Sequence, residues 1–165
     1  MSIEYNEDNL VEQATVDILA DIGWEIQTAW HNEIFGVDGN LGRENKSEVI
    51  LQKYLLVALE NLNPDLPQSV YKDAYLQIAQ READKTLDRA NKEKYELIKS
   101  GVKVSFTNDD GELTRKTLKV FDFNNPENNH FLAVRQLEVT GELYNRRPDV
   151  IGFVNGIPLV FFELK

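Results

Sequence analysis

Cysteine is absent from the 165 residues, and histidine occurs only twice, at His31 and His130. A disulfide framework and a thiolate zinc site are thereby excluded. No stretch approaches the roughly 18 apolar residues of a membrane span. The start, MSIEYNEDNLVEQ, is acidic where a secretory signal is basic and then apolar. The expectation is a soluble, cytoplasmic chain with no membrane partner. No glycine-rich phosphate loop is present, so nothing here binds a nucleotide in the P-loop manner. Basic charge is scarce as well: 18 Lys and Arg stand against 28 Asp and Glu, a net charge of −10. That balance argues against a basic face that neutralises phosphates. An acidic chain still handles DNA where its carboxylates bind metal ions or where other domains or subunits supply the basic surface, and an acidic domain can also imitate DNA.

What is present suffices for one domain with a core. The chain is 42% hydrophobic, and a domain of this size buries roughly 70% of its unfolded surface. Asp8 to Gly23 reads as an amphipathic helix with Leu10, Val11, Ala14, Ile18, Leu19 and Ile22 on one face, Glu12 at the edge of that stripe, and Gly23 as its stop. WEIQTAW reads as a strand, and the following HNEIFGVDGNLGREN as a loop. Asn45 with Glu48 resembles a capping box, which predicts a buried helix over SEVILQKYLLVALENL. Further helices are expected over about 69–83 and 85–100, ended by Gly101. From there the period changes to two: VKVSF, the turn NDDG and LTRKTLKVFDF form a hairpin, and HFLAVRQLEVTG a strand. RPDVIGFV and IPLVFFELK flank the strong turn dipeptide Asn155-Gly156. Helices first and strands last predict α/β or α+β, with helices on a mixed sheet. Ile157 to Phe162 has the near-continuous apolar character of a strand buried on both faces.

The chemistry gathers at the end of that strand. Glu163 and Lys165 share one strand face, and Asp149, Ile151 and Phe153 share a face of the strand before. With a simple two-residue loop at Asn155-Gly156, Val154 pairs with Ile157 and Asp149 falls opposite Phe162, which puts Glu163 and Lys165 on the wrong face. A three-residue loop or a bulge flips the parity and brings Asp149, Glu163 and Lys165 together. Two adjacent carboxylates then call for a cation. With only oxygen ligands on offer the choice is Mg²⁺, which takes one or two carboxylates and keeps several waters. The chemistry implied is in-line hydrolysis of a phosphodiester, with Lys165 either holding the attacking water or neutralising charge on the phosphate oxygens. Arg146 and Arg147 are candidate phosphate contacts beside the cleft. The plain alternative is a surface ion pair between Glu163 and Lys165, worth about 0–1 kcal/mol. Glu-x-Lys also occurs at Glu44–Lys46, and Pro-Asp at Pro64-Asp65, but neither lies in a strand context.

The segment RPDVIGFVNGIPLVFFELK resembles the nuclease segment of the restriction (R) subunit of type I restriction-modification enzymes, which belong to the PD-(D/E)xK nuclease fold. Its Arg-Pro-Asp, its Asn-Gly-x-Pro-Leu turn and its Glu-Leu-Lys ending carry the likeness. VEQATVDILADIGWE looks like that family's first helix, with Glu12 ahead of Gly23-Trp24, and FLAVRQLEV resembles the strand before the Arg-Pro-Asp segment. The match over about 36–101 is one of general character only. Carried over residue by residue, the resemblance implies that Asp149 and Glu163 hold the metal, that Lys165 is the motif lysine, and that Glu12 helps from the first helix. It implies a restriction-endonuclease-like core, a mixed β-sheet flanked by helices, incomplete at its C-terminus because the family's Gln-x-x-x-Tyr element has no counterpart after Lys165. Residues 1–165 are then the N-terminal part of an endonuclease domain, with little cleavage activity by themselves. Double-stranded DNA, modification and specificity subunits as partners, and ATP used by motor domains of the full-length subunit are also implied. Two readings from other classes stand beside it: a nuclease-like module that binds or assembles without cutting, and an acidic DNA mimic.

Overall fold

The computed structural model describes residues 7–80, 86–141 and 144–164. In chain order its elements are α1 (Glu7–Asp21), β1 (Glu25–Thr28), α2 (Gln52–Leu62), α3 (Gln68–Ala79), α4 (Leu87–Ser100), β2 (Val102–Thr107), β3 (Leu113–Leu118), β4 (Phe131–Arg135), β5 (Val139–Thr140), β6 (Asn145–Arg146), β7 (Val150–Val154) and β8 (Ile157–Phe162). They fall into two compact units, one of Met1–Lys53 with His130–Lys165 and the other of Tyr54–Asn129.

The first unit is built on a mixed four-stranded sheet in the order β1-β4-β7-β8. β1 runs parallel to β4, and the other pairs are antiparallel. A parallel pair cannot be joined by a tight turn, and the chain between β1 and β4 runs through the whole second unit. The mixed sheet and helices agree with the fold class read from the sequence. The helix face does not. Val16 and Leu19 of α1 pack with Ala133 and Val150 of the sheet, joined by Trp24, Ile26 and Phe162. Of the face read from the sequence, Leu19 is buried, but Leu10, Val11, Ala14, Ile18 and Ile22 are exposed. The buried stripe is Glu12, Val16 and Leu19 at helical spacing, because the sheet end offers Glu12 polar partners that an apolar side chain could not use.

Two further expectations are corrected. β8 is an edge strand in which Leu159, Val160 and Phe161 are exposed, not a strand buried on both faces. The predicted helix from Ser47 begins only at Gln52. Asn45 Oδ1 accepts from Ser47 N at 2.9 Å, a local turn rather than a helix cap. Leu51 N then donates to Gly156 O at 2.8 Å, which draws the segment onto the β7–β8 turn.

That turn settles the parity. Asn155 and Gly156 have φ of 50° and 79°, as a two-residue type I′ turn requires, and Val154 pairs with Ile157. Asn155 is fully buried; its Oδ1 accepts from His130 N at 2.8 Å and its N donates to His130 O at 2.8 Å. The ladder then shifts: Phe153 pairs with Pro158, but Gly152 pairs with Val160, so Leu159 is a bulge residue with no partner on β7. Pro158 fits because, next to the turn-closing pair, its nitrogen faces the open edge. Gly152 fits because a Cβ there would lie 2.9 Å from the Trp24 ring. Beyond the bulge Val150 pairs with Phe162.

The loop after β1 is organised by Arg43, whose side chain is fully buried. Its Nε and Nη2 donate to the two oxygens of Glu33 at 2.7 and 2.6 Å. Nη1 donates to the carbonyls of Glu48 (3.0 Å) and Lys46 (3.5 Å), and Nη2 to that of Glu138 at 3.1 Å. Every guanidinium donor is thereby used, which is what makes a buried charge tolerable.

In the second unit α3 buries Val70, Tyr71, Ala74 and Ile78 and lies on β2, which pairs with β3. Asn63 bonds both backbone groups of Lys119, at 2.8 and 2.9 Å, and the Tyr71 hydroxyl donates to Asn63 O at 2.7 Å. The NNPENN loop closes on Asp122, whose carboxylate accepts from Asn128 Nδ2 and from the backbone N–H groups of Asn125 and Asn124.

Removing the Arg43 charge strands Glu33, so Arg43→Met is expected to lower unfolding free energy by about 3–5 kcal/mol, measured by urea denaturation. Asp122 carries a pH signature. The hydrogen bonds from Asn128 and then Asn125 hold its pKa below the ordinary 3.8. A depressed carboxyl pKa stabilises the fold above the unfolded value and loses that contribution as pH falls through the folded one. Asp122→Asn is therefore expected to flatten the loss of stability as pH falls through and below the ordinary 3.8, checked by urea denaturation of both proteins across an acid pH series.

Candidate active site

The acidic residues meet where β4 ends and β7 begins. Gln136, immediately after β4, has φ of 52°, a left-handed conformation that costs a side-chain-bearing residue roughly 1–2 kcal/mol. Its backbone N donates to Asp149 O at 2.9 Å. Its Nε2 donates to Glu12 Oε2 at 2.8 Å and lies 3.5 Å from Asp149 Oδ1. Both neighbours are acceptors, so the amide nitrogen, not its oxygen, faces them. Gln136 thus links the α1 carboxylate to the β7 carboxylate.

Glu12 is only 5% exposed. Its Oε1 accepts from Arg135 Nε at 2.6 Å, and Arg135 Nη1 also donates to Gln13 Oε1 at 3.0 Å. Both oxygens of Glu12 are engaged, one by a cation and one by an amide. Asp149 is half-buried and stands differently. Its Oδ2 accepts from Leu164 N at 2.7 Å, while among the described residues Oδ1 has only the long Gln136 contact. One carboxylate oxygen of Asp149 therefore retains capacity for a cation.

Continuing the β7–β8 register one step past Val150–Phe162 sets Asp149 opposite Glu163, and the Leu164 N–H bond to Asp149 holds the two strand ends together there. Glu163 is exposed. Lys165 lies outside the described residues. Arg146 and Arg147 are exposed, with guanidinium carbons 5.7 Å from the Tyr144 ring centroid and 3.7 Å from that of Trp30. His130 Nε2 lies 2.8 Å from Glu25 Oε2, away from this cluster. Burial raises the Glu25 pKa, but hydrogen bonds from Gln27 and His130 outweigh it and leave the group below its usual value.

As a metal seat the residues suit Mg²⁺: their donors are all oxygens, and Asp149 with Glu163 make the one or two carboxylates that this ion takes beside its waters. Among the described residues no group of three or more His, Cys, Asp or Glu side chains is set to hold a metal. Glu12 is consistent with that, being saturated by Arg135 and Gln136. Sequence reasoning missed Arg135, Gln136 and Trp30. The first two stand just after the apolar run FLAV, where a strand carries its last side chains to the sheet end, and that was the available signal.

The arrangement is that of an α/β domain with acidic side chains collected at the strand ends of a mixed sheet. The chain belongs to the family described as the type I restriction enzyme R protein N terminus, whose model matches residues 4–165. It is 36% identical over 159 residues to the type I restriction enzyme HindI endonuclease subunit of Haemophilus influenzae, covering 96% of this chain and 15% of that protein. It is 32% identical over 168 residues to the putative type I restriction enzyme MjaIXP endonuclease subunit of Methanocaldococcus jannaschii, covering 97% of this chain and 15% of that protein. The chain thus spans about 15% of the length of these relatives. Among the described residues no helix is long and apolar enough to cross a membrane.

Glu12 and Glu163 are distinguishable by stability. Glu12→Ala removes the acceptor of Arg135 Nε and the nearer acceptor of Gln136 Nε2 and is expected to cost about 1.5–3 kcal/mol. Glu163→Ala, at an exposed position, is expected to stay within about 0.5 kcal/mol of wild type. Parallel urea titrations of the two variants check both.

Proposed function

We propose that this chain is the N-terminal part of the endonuclease domain of a type I restriction R subunit, with a PD-(D/E)xK core, and that its site hydrolyses phosphodiester bonds in unmodified double-stranded DNA with Mg²⁺. The observation that supports the reading is the bulge at Leu159, after which the β7–β8 register, continued one step past Val150–Phe162, sets Glu163 opposite Asp149. The family membership and the names of its relatives, which are endonuclease subunits, support it. In the full-length subunit, working in the cytoplasm, cleavage is coupled to ATP-driven translocation, and modification and specificity subunits complete the enzyme.

Asp149 and Glu163 are the metal ligands in this reading. When bound, Mg²⁺ supplies Lewis-acid stabilisation of the charge that develops on the phosphodiester. The Leu164 N–H fixes Asp149 through Oδ2 and leaves Oδ1 for the cation. Glu12 acts through Gln136: it holds the amide against Asp149 and, being charge-balanced by Arg135, does not compete for the ion. Lys165 neutralises the phosphate oxygens as water attacks in line. That step forms one P–O bond and breaks another, the water losing a proton and the departing oxygen gaining one. Arg146 and Arg147 meet the DNA backbone.

A non-catalytic DNA-binding or assembly module is the second reading, favoured by the lack of a three-ligand set among the described residues. Calorimetric titration of Mn²⁺ or Mg²⁺ separates the two. Saturable binding by the wild type is expected, abolished by Asp149→Ala and weakened about tenfold or more by Glu163→Ala, the loss of one charged ligand from two. Binding that is absent, or indifferent to both substitutions, rejects the catalytic reading.

A further inference from the structure

The two arginines just ahead of Asp149 are used differently from Arg43, Arg89 and Arg135. Those three lie on the carboxylates of Glu33, Glu93 and Glu12. Among the described residues no carboxylate lies within ion-pair distance of Arg146 or Arg147, although acidic residues outnumber basic ones by 28 to 18. Each guanidinium lies over an aromatic ring instead. Arg146 is loosely placed, 5.7 Å from the centroid of Tyr144, a ring residue that is itself 69% exposed. Arg147 is in direct face contact with Trp30, at 3.7 Å.

A guanidinium stacked on a ring gives up its flat face and keeps its N–H edges. Rotamer freedom that a phosphate would otherwise have to remove is already restricted. Those N–H groups form the planar fork that fits phosphate oxygens two at a time. The backbone ahead of Trp30 is fixed, since the N–H of Ala29 donates to Arg135 O at 2.9 Å and ties the end of β1 to the end of β4.

The surroundings lead to the same place. A groove of about 320 Å³ starts at Gln136, the residue in contact with Glu12 and Asp149, and continues past Trp30, His31, Phe35 and Lys46. The two carboxylates along it are neutralised, Glu33 by Arg43 and Glu138 by Lys46 at 2.6 Å. The path beside the acidic centre is therefore not itself anionic.

We infer that Arg147, held flat by Trp30, anchors a backbone phosphate of the DNA strand entering this groove, with Trp30 as the positioning residue. The inference rests on the DNA-cleaving reading above but is tested apart from it. In metal-free buffer, the affinity of the chain for a labelled DNA duplex is measured across a salt series by fluorescence anisotropy. Arg147→Ala is expected to weaken binding about tenfold at low salt and to reduce the slope of log K against log salt by about 1, the loss of one phosphate contact. Trp30→Ala is expected to move both quantities the same way, and Trp30→Phe, which keeps a ring face, to restore most of the difference. Arg147 is exposed, so its variant keeps the fold even if Trp30→Ala does not. Arg147→Ala with unchanged slope and affinity, or a wild type that shows no salt-dependent duplex binding, overturns the anchor. Unchanged DNA binding in Arg147→Ala together with Mn²⁺ binding that is lost in Asp149→Ala overturns the anchor and leaves the metal site standing.

Discussion

Strand parity is the constraint on which the proposed site depends. Side chains alternate with a period of two, so every residue of β8 has its face decided by the count of residues from the turn. The Asn155-Gly156 turn, with both φ positive, fixes that count at Val154 and Ile157. Without the extra residue at Leu159, Glu163 would face away from Asp149. The bulge is supported from both sides: Pro158 cannot donate to a ladder, and Gly152 makes room for the Trp24 ring. Buried Asn155 and its bonds to His130 keep the turn from slipping to another register.

The second determinant is a carboxylate used as core. Glu12 begins the buried stripe of α1, ahead of Val16 and Leu19, where burying a lone charge would be prohibitive. Arg135 and Gln136 supply the partners, and Gln136 does so only by adopting a left-handed backbone. The same backbone step sends its N–H to the carbonyl of Asp149. Strain at one residue is therefore repaid by two contacts to the acidic cluster, the pattern in which local strain persists at a site rather than relaxing.

The legibility of all this in the sequence was uneven for physical reasons. Strand positions and the hairpins were readable because alternation and turn dipeptides are local: β1, β2, β3, β7 and β8 fall on WEIQTAW, VKVSF, LTRKTLKVFDF, RPDVIGFV and IPLVFFELK, although β3 stops at Leu118 and HFLAVRQLEVTG, read as one strand, is broken after Arg135 into β4 and β5. The need for an irregularity in the last hairpin was readable too, as a parity argument. Its location was not: the register shifts beside Gly152, which lies against Trp24, a contact between residues far apart in the chain. Helix orientation failed for a related reason. The most apolar stripe of α1 is exposed, and the docked stripe is selected by Arg135 and Gln136, more than a hundred residues away. Arg43 shows the limit most plainly, since nothing in HNEIFGVDGNLGREN marks it as the buried centre of that loop.

The net charge of −10 takes on a different meaning once pairs are traced. Around the strand ends, Glu12, Glu33 and Glu138 each have a cation of their own in Arg135, Arg43 and Lys46. Among the described carboxylates of this cluster, the backbone N–H of Leu164 holds Asp149, and no ion pair to a side-chain cation offsets it. On the proposed reading, charge is cancelled pairwise where it would repel a polyanion and left standing where a divalent cation would neutralise it. An acidic sequence and a DNA substrate are compatible on those terms, because attraction to phosphate depends on the local field at the contact, not on the sum over the chain.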